Sequence, residues 1–259
     1  RILRKNYSQI GFKGNFTLLT EDKEKKKIVK RLMIEKNIKP ENENVIYFVK
    51  RIEKFKNRGI TPDDLEEYPD FEDSEGNKFI EEEIEGGEFI TIPEEIKKLS
   101  NHIYIRYQET LKNNNMMDFD DILLYTYDLF RKNEFLLNSY KKRLKVIMVD
   151  EAQDLNVVQR NILELLQDNN LCLIGDDCQN IYSWRGSSNE LIFNFDEKHE
   201  KIVLKDNYRS TKEIISNVNN IIDSINFKID KKLHCTRDKG KKITVENFHD
   251  INEEIYSMA

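Results

Sequence analysis

The acids Asp150 and Glu151 follow directly on the apolar run Val146-Ile147-Met148-Val149. Two carboxylates at a strand end suit phosphate chemistry. One can hold a Mg2+ ion on nucleotide phosphates, because Mg2+ prefers hard oxygen ligands and takes few protein carboxylates. The other can orient and deprotonate a water molecule. Two further apolar runs end in polar residues of matching kind. Leu171-Cys172-Leu173-Ile174 leads into Gly175-Asp176-Asp177-Cys178-Gln179, and Ile202-Val203-Leu204 leads to Asn207-Tyr208-Arg209. Gln179 could position the water or sense a terminal phosphate. Arg209 could neutralise charge developing on a transferred phosphoryl group, as an arginine finger does. An Asp-Glu pair alone is a weak signal, since acids often cap strand ends; the three clusters together are a stronger one.

The elements that must position these residues are short apolar runs alternating with amphipathic helices. Asp118-Phe119-Asp120-Asp121 opens an apolar helix over 118–129, and residues 157–166 form another. Ser210-Thr211-Lys212-Glu213 has the capping-box pattern and opens a helix to residue 225. Strands buried on both faces and alternating with helices make a parallel α/β sheet. Ligands of such sheets sit at the carboxyl ends of the strands, where the three polar clusters fall. Earlier in the chain, apolar residues recur at helical spacing over 21–33, 45–55 and 96–111. Thr61-Pro62-Asp63-Asp64 reads as a helix start. Residues 69–93 carry Gly76, Gly86, Gly87 and many acids, and read as a surface excursion with a short hairpin over 78–92.

The net charge of −6 hides an asymmetry. Residues 1–60 hold 17 Lys and Arg against 7 Asp and Glu, whereas residues 61–95 hold 15 acids and only Lys78. Local rather than net charge decides phosphate binding, so the basic N-terminal third is a candidate nucleic-acid surface or a solvated helix face. The odd cysteine count (Cys172, Cys178, Cys235) and scattered histidines match no metal-ligand spacing and read as reduced thiols. No apolar run approaches the length of a membrane span and no signal peptide is visible, so no membrane partner and a cytoplasmic location are expected.

Three segments, in this order and spacing, resemble the UvrD/Rep/PcrA family of superfamily 1 DNA helicases. They are Val149-Asp150-Glu151-Ala152-Gln153-Asp154, the run from Gly175 through Gln179, Tyr182, Trp184 and Arg185 to Gly186, and Asn207-Tyr208-Arg209-Ser210-Thr211. Met117-Asp118-Phe119-Asp120-Asp121-Ile122 is similar to the family's Asp-Phe-Asp-Asp segment. The likeness is close over about 115–225 and looser elsewhere. It implies that Asp150 binds the Mg2+ of ATP, that Glu151 is the general base, and that Gln179 contacts the γ-phosphate. Arg209 would be a γ-phosphate arginine from the second motor domain. Tyr182 and Trp184 would stack on single-stranded bases, a contact that tolerates any sequence, and Arg185 would link the nucleotide side to the DNA side. Tyr208 is expected to pack and so orient Arg209. Cys178 stands where the family usually has an acid, and Asp206 where it often has Gln or Glu. Neither is a catalytic position.

The resemblance further implies a partial RecA-like parallel-sheet motor domain with a mostly helical insert and the start of a second RecA-like domain. On this division, residues 1–20 end a motor-domain segment, 21–114 form the DNA-facing insert, 115–200 complete the first motor domain and 201–259 begin the second. ATP and Mg2+ are the implied cofactors, and single-stranded or duplex DNA the implied partner, with repair or replication proteins beside it and movement 3′→5′. No Gly-x-x-x-x-Gly-Lys-[Ser/Thr] loop occurs in the sequence, and the chain begins at Arg1. The expectation is therefore a fragment that is inactive by itself. The alternatives are part of a RecB/AddA-like helicase–nuclease, or a nucleic-acid or protein binding module without catalysis.

Overall fold

The computed structural model describes residues 1–67, 82–83, 89–90, 92–168, 170–180, 200–225, 229 and 231–258. These fall into two compact units, one of residues 1–176 and 180–191 and the other of residues 177–179 and 192–259. The architecture is α/β.

The first unit begins with helix α1 (Ile2–Lys5) and strand β1 (Thr17–Leu18). Helices α2 (Asp22–Glu35), α3 (Asn42–Asn57) and α4 (Pro62–Glu67) follow. Val29, Leu32 and Met33 on α2, and Val45, Phe48, Ile52 and Phe55 on α3, recur every three or four residues and so make one apolar stripe per helix. Both stripes are buried in one core with Ile103, Tyr104, Tyr107 and Leu111. The start of α4 is capped reciprocally: Thr61 N–H donates to Asp64 Oδ2 at 2.6 Å, and Asp64 N–H to Thr61 Oγ1 at 3.4 Å. Strands β2 (Glu82–Glu83) and β3 (Phe89–Ile90) pair antiparallel, within the hairpin expected over 78–92.

Helix α5 (Glu94–Lys97) precedes α6 (Ser100–Asn113), which carries the four core residues just named. Strand β4 (Met116–Met117) then pairs parallel with β1, Leu18 opposite Met117. The following helix α7 (Phe119–Lys132) starts with a capping box between Asp118 and Asp121. Its Tyr125 and Leu129 join Leu3, Ile10, Phe12 and Met117 in a second core. Helix α8 (Glu134–Arg143) is capped by Asn133, whose Oδ1 accepts the Leu136 N–H at 2.8 Å. Strand β5 (Ile147–Val149), helix α9 (Val157–Leu166) and strand β6 (Leu171–Leu173) complete the unit's described elements. β5 and β6 run parallel with Val149 opposite Leu173.

In the second unit, β7 (Asp206–Asn207) pairs parallel with β8 (His234–Cys235), on either side of helix α10 (Lys212–Ser224). Helix α11 (Ile251–Met258) follows. Among the described residues, no helix is long and apolar enough to cross a membrane.

Three expectations are corrected. Strands β5 and β6 are not buried on both faces: Met148 is 67% exposed while Ile147 and Val149 are half-buried. Side chains of a strand alternate between faces, and among the described residues no layer covers the Met148 face. The apolar run 202–204 is not a strand. Pairing begins only where the Lys205 carbonyl accepts the His234 N–H, so Ile202 and Leu204 find no ladder partner among the described residues and are exposed. Ser210 does not cap α10. Its N–H is held by Asn207 Oδ1 at 2.8 Å, Thr211 becomes the N-cap without a side-chain bond, and the Glu213 carboxylate accepts the Gly240 N–H instead.

Candidate active site

Strand β5 delivers Asp150 and Glu151 at its carboxyl end, and both side chains are exposed. The turn that follows is fixed by backbone hydrogen bonds to β6. Ile174 N–H donates to the Val149 carbonyl at 2.8 Å, and Ala152 N–H donates to the Ile174 carbonyl at 2.9 Å. The chain reverses between these two bonds at Glu151, whose φ of 51° and ψ of 43° lie in the left-handed region. A non-glycine residue there carries a steric cost and persists only where its surroundings over-determine it. Here the Glu151 carbonyl accepts the Asp154 N–H at 2.9 Å, and the Glu151 N–H donates to Asp150 Oδ1 at 3.0 Å.

Gln153 secures the carboxylate. It is 2% exposed. Its Nε2 donates to Glu151 Oε2 at 2.7 Å, and its Oε1 accepts the Asp176 N–H at 3.0 Å. Neither Asp150 nor Glu151 forms an ion pair among the described residues, and Asp150 Oδ2 takes no hydrogen bond there. An exposed strand-end carboxylate with an unengaged oxygen suits a hydrated Mg2+, which keeps several waters and few protein ligands.

The second unit holds two other expected site residues. Asp177 is buried, its Oδ2 accepting the Ile229 N–H at 2.6 Å and its Oδ1 paired with Lys231. That anchor fixes the backbone two residues before Gln179, whose side chain is exposed. Arg209 follows β7 and is also exposed. Asn207 Oδ1 accepts the Arg209 N–H at 3.1 Å, and Arg237 Nη1 donates to the Arg209 carbonyl at 2.8 Å. These contacts set the Arg209 backbone. Tyr208, expected to pack, is 74% exposed and does not orient it. The structure thus brings Asp150 and Glu151 together in the first unit and describes Gln179 and Arg209 in the second. Tyr182, Trp184 and Arg185 lie outside the described residues.

Two functional features were missed by sequence reasoning. Gln153 sat inside the quoted motif without a role; its i+2 spacing from Glu151 was the available signal. The Asp118–Asp121 pair was read only as a helix start, although its i, i+3 spacing is also that of a capping box. In the structure the pair closes on Lys56 of α3, at 2.6 Å to Asp118 Oδ2 and 2.8 Å to Asp121 Oδ1.

The chain matches two family models, the UvrD/REP helicase N-terminal domain over residues 1–200 and the UvrD-like helicase C-terminal domain over residues 202–259. It is similar to a probable DNA helicase II homolog of Mycoplasma capricolum subsp. capricolum, 32% identical over 95% of this chain and 32% of that protein. It is also similar to the ATP-dependent DNA helicases PcrA of Staphylococcus epidermidis (31% identical) and Staphylococcus aureus (30% identical), each over 94% of this chain and 31% of the relative. The chain therefore spans about a third of the length of the curated relatives it matches. With both family models together covering nearly every residue, the chain belongs to the UvrD/REP helicase family.

Proposed function

We propose that the chain is part of an ATP-dependent DNA helicase or translocase that couples ATP hydrolysis to movement along single-stranded DNA. The observation that carries this reading is the Glu151 carboxylate, exposed at the end of β5 yet held by Gln153 on a left-handed backbone. A base must be positioned before its proton affinity matters, and the Gln153 bond to this carboxylate supports that role. Asp150 would hold Mg2+, which when bound neutralises charge on the nucleotide phosphates. Glu151 would take a proton from the attacking water, Gln179 would contact the γ-phosphate, and Arg209 would stabilise the transferred phosphoryl group from the second motor domain. Tyr182 and Trp184 would stack on bases and Arg185 would link the two sides. Relatives named as ATP-dependent DNA helicases support the same reading. The location would be cytoplasmic, with repair or replication proteins as further partners.

Phosphate release with and without single-stranded DNA tests the proposal. The chain alone, without a phosphate-cradling loop in its sequence, is expected to release none. In the longer protein, Glu151→Gln is expected to abolish DNA-stimulated release. Stimulated turnover that survives Glu151→Gln would remove Glu151 from the base role.

A second reading, a nucleic-acid binding module, is favoured by the surface of α2, where Lys23, Lys27, Lys30 and Arg31 are all exposed. Anisotropy of a labelled oligonucleotide at low salt tests it, since phosphate contacts weaken steeply with salt. No binding at low salt would end it.

A further inference from the structure

We infer that Gln153 is a positioning residue that holds the Glu151 carboxylate and ties it to the backbone of Asp176 at the exit of β6. The catalytic half of this inference rests on the proposed role of Glu151; the tie itself does not.

The chemistry of the two partners fixes which way the Gln153 amide faces. The Asp176 N–H can only donate, so it must meet Oε1, 3.0 Å away. The ionised Glu151 carboxylate can only accept, so it must meet Nε2, 2.7 Å away. A flipped amide would set two donors face to face on one side and two acceptors on the other. Asparagine carries the same amide but is one methylene shorter. Glutamate would keep the Asp176 bond but oppose the Glu151 carboxylate, and leucine or methionine would fill the volume with neither bond.

Burial sharpens the assignment. Gln153 is 2% exposed, so water cannot replace a lost bond cheaply. Its backbone sits in the short turn Ala152–Asp154, which is pinned to the β6 exit through Ala152 and Ile174. The amide therefore has a fixed base. Glu151 at the end of β5 and Asp176 beyond β6 are 25 positions apart in sequence and one side chain apart in space. The amide gives a displacement at Asp176 a direct route to the carboxylate, and the reverse.

The test is a double-mutant cycle read by 1H–15N NMR on the chain itself, since coupling is shown by non-additivity and not by adjacency. Glu151→Ala is expected to shift the Asp176 amide resonance and to return the Gln153 side-chain NH2 signals to those of a free amide. In a Gln153→Leu background, the same Glu151→Ala change is expected to leave the Asp176 amide unmoved. Equal shifts in both backgrounds, or no shift in the parent, would overturn the inference. Should Gln153→Leu fail to fold, Gln153→Glu serves: it keeps the acceptor for Asp176 and removes the donor to Glu151. In that background the Asp176 amide is expected to stay hydrogen-bonded yet ignore Glu151→Ala, and a persisting response would overturn the inference. ATP turnover is read separately, in the longer protein. A cycle that shows coupling while Glu151→Gln leaves turnover intact would support the tie and reject the base role alone.

Discussion

Lys56 Nζ lies 2.6 Å from Asp118 Oδ2, and neither side chain is more than 1% exposed. The lysine also reaches Asp121 Oδ1 at 2.8 Å, while Tyr107 OH donates to Asp118 Oδ2 at 3.1 Å and Gln108 Nε2 donates to Asp121 Oδ1 at 2.8 Å. One ammonium thus serves two carboxylates that are themselves the capping box of α7. The cluster joins α3 and α6 to α7.

Removing the lysine is expected to destabilise the first unit strongly. Breaking a buried ion pair from one side costs about 3–5 kcal/mol, because the remaining charge is stranded without water. Lys56→Met leaves two such charges. Urea unfolding is expected to show the midpoint falling accordingly, with part of the loss recovered in Lys56→Met/Asp118→Asn/Asp121→Asn. A midpoint unchanged by Lys56→Met would show that the pair contributes nothing.

The same cluster predicts an unusual dependence on pH. Burial, with the Asp118 charge adding to it and Lys56 opposing, pushes the Asp121 carboxyl up to about 6. Asp118 goes the other way: burial would raise it, but Lys56, Lys25 and the Asp121 N–H together outweigh burial and lower it. Burial also raises Asp120 and Glu53. A carboxyl whose folded value is raised contributes stability that is fully present below its unfolded value of 3.8 and is lost as pH rises through about 6. Asp121 is therefore expected to raise the melting temperature near pH 5.5 relative to pH 7.5, against an opposite trend from His102, which burial and then Lys36 lower. Asp118 adds the opposite trend only as pH falls through its depressed value. A proton on Asp121 also supplies a donor beside Gln108, whose Oε1 is buried without a hydrogen-bond partner among the described residues. Asp121→Asn is expected to flatten the slope between pH 5.5 and 7.5. An equal slope in the variant would place the titrating group elsewhere.

The left-handed Glu151 backbone predicts how that position tolerates change. An L-residue there costs roughly 1–2 kcal/mol, and a β-branched side chain is a sharper outlier. Glu151→Gln keeps the shape and leaves an acceptor for Gln153 Nε2, so thermal unfolding is expected to be near that of the parent. Glu151→Val is expected to be less stable than Glu151→Gln, because a β-branched side chain is the sharper outlier at positive φ. If the two variants melt alike, the turn relaxes and Glu151 is not held there. The comparison also decides whether Glu151→Gln is a fair probe of chemistry.

Much of this arrangement was legible in the sequence because it is local. The stripes of α2, α3 and α6 repeat at helical spacing, and Thr61 with Asp64 marks a helix start through short-range hydrogen bonds. The strand-end acids could be placed because an apolar run stops abruptly at Val149. What escaped was set by distant partners. β1 and β4 are two residues each and exist only because Leu18 meets Met117 from across the unit. Lys56 looked like one lysine among many on a basic helix, and nothing within α3 says that it points at Asp118, 62 positions later. The strand at 206–207 was misplaced onto 202–204 because hydrophobicity marks an apolar run, whereas pairing with His234 and Cys235 decides which residues form the ladder. Gln153 was within the quoted motif, but its partner Asp176 lies on another strand's exit.

The end of α3 supplies the last prediction. Gly59 has a φ of 77°, in the left-handed region. Its N–H donates to the Lys56 carbonyl at 2.9 Å, and the Ile60 N–H donates to the Phe55 carbonyl at 3.0 Å. This is the Schellman pattern, in which a left-handed residue after the helix satisfies its last carbonyls. A side chain at 59 would face two obstacles. The backbone conformation disfavours any Cβ, and a Cβ built there would lie 3.1 Å from the ring of Tyr127 on α7. The half-buried Tyr127 ring lies beside the α3–α7 junction that Lys56 anchors three residues earlier, and it would have to give by a few tenths of an ångström. Gly59→Ala is expected to cost about 1–2 kcal/mol from the backbone alone, and more where the ring must move. Gly59→Ala/Tyr127→Ala separates the two contributions in urea unfolding. If the ring clash matters, Gly59→Ala costs less in the Tyr127→Ala background than in the parent. If the two costs are equal, the backbone conformation alone accounts for the glycine.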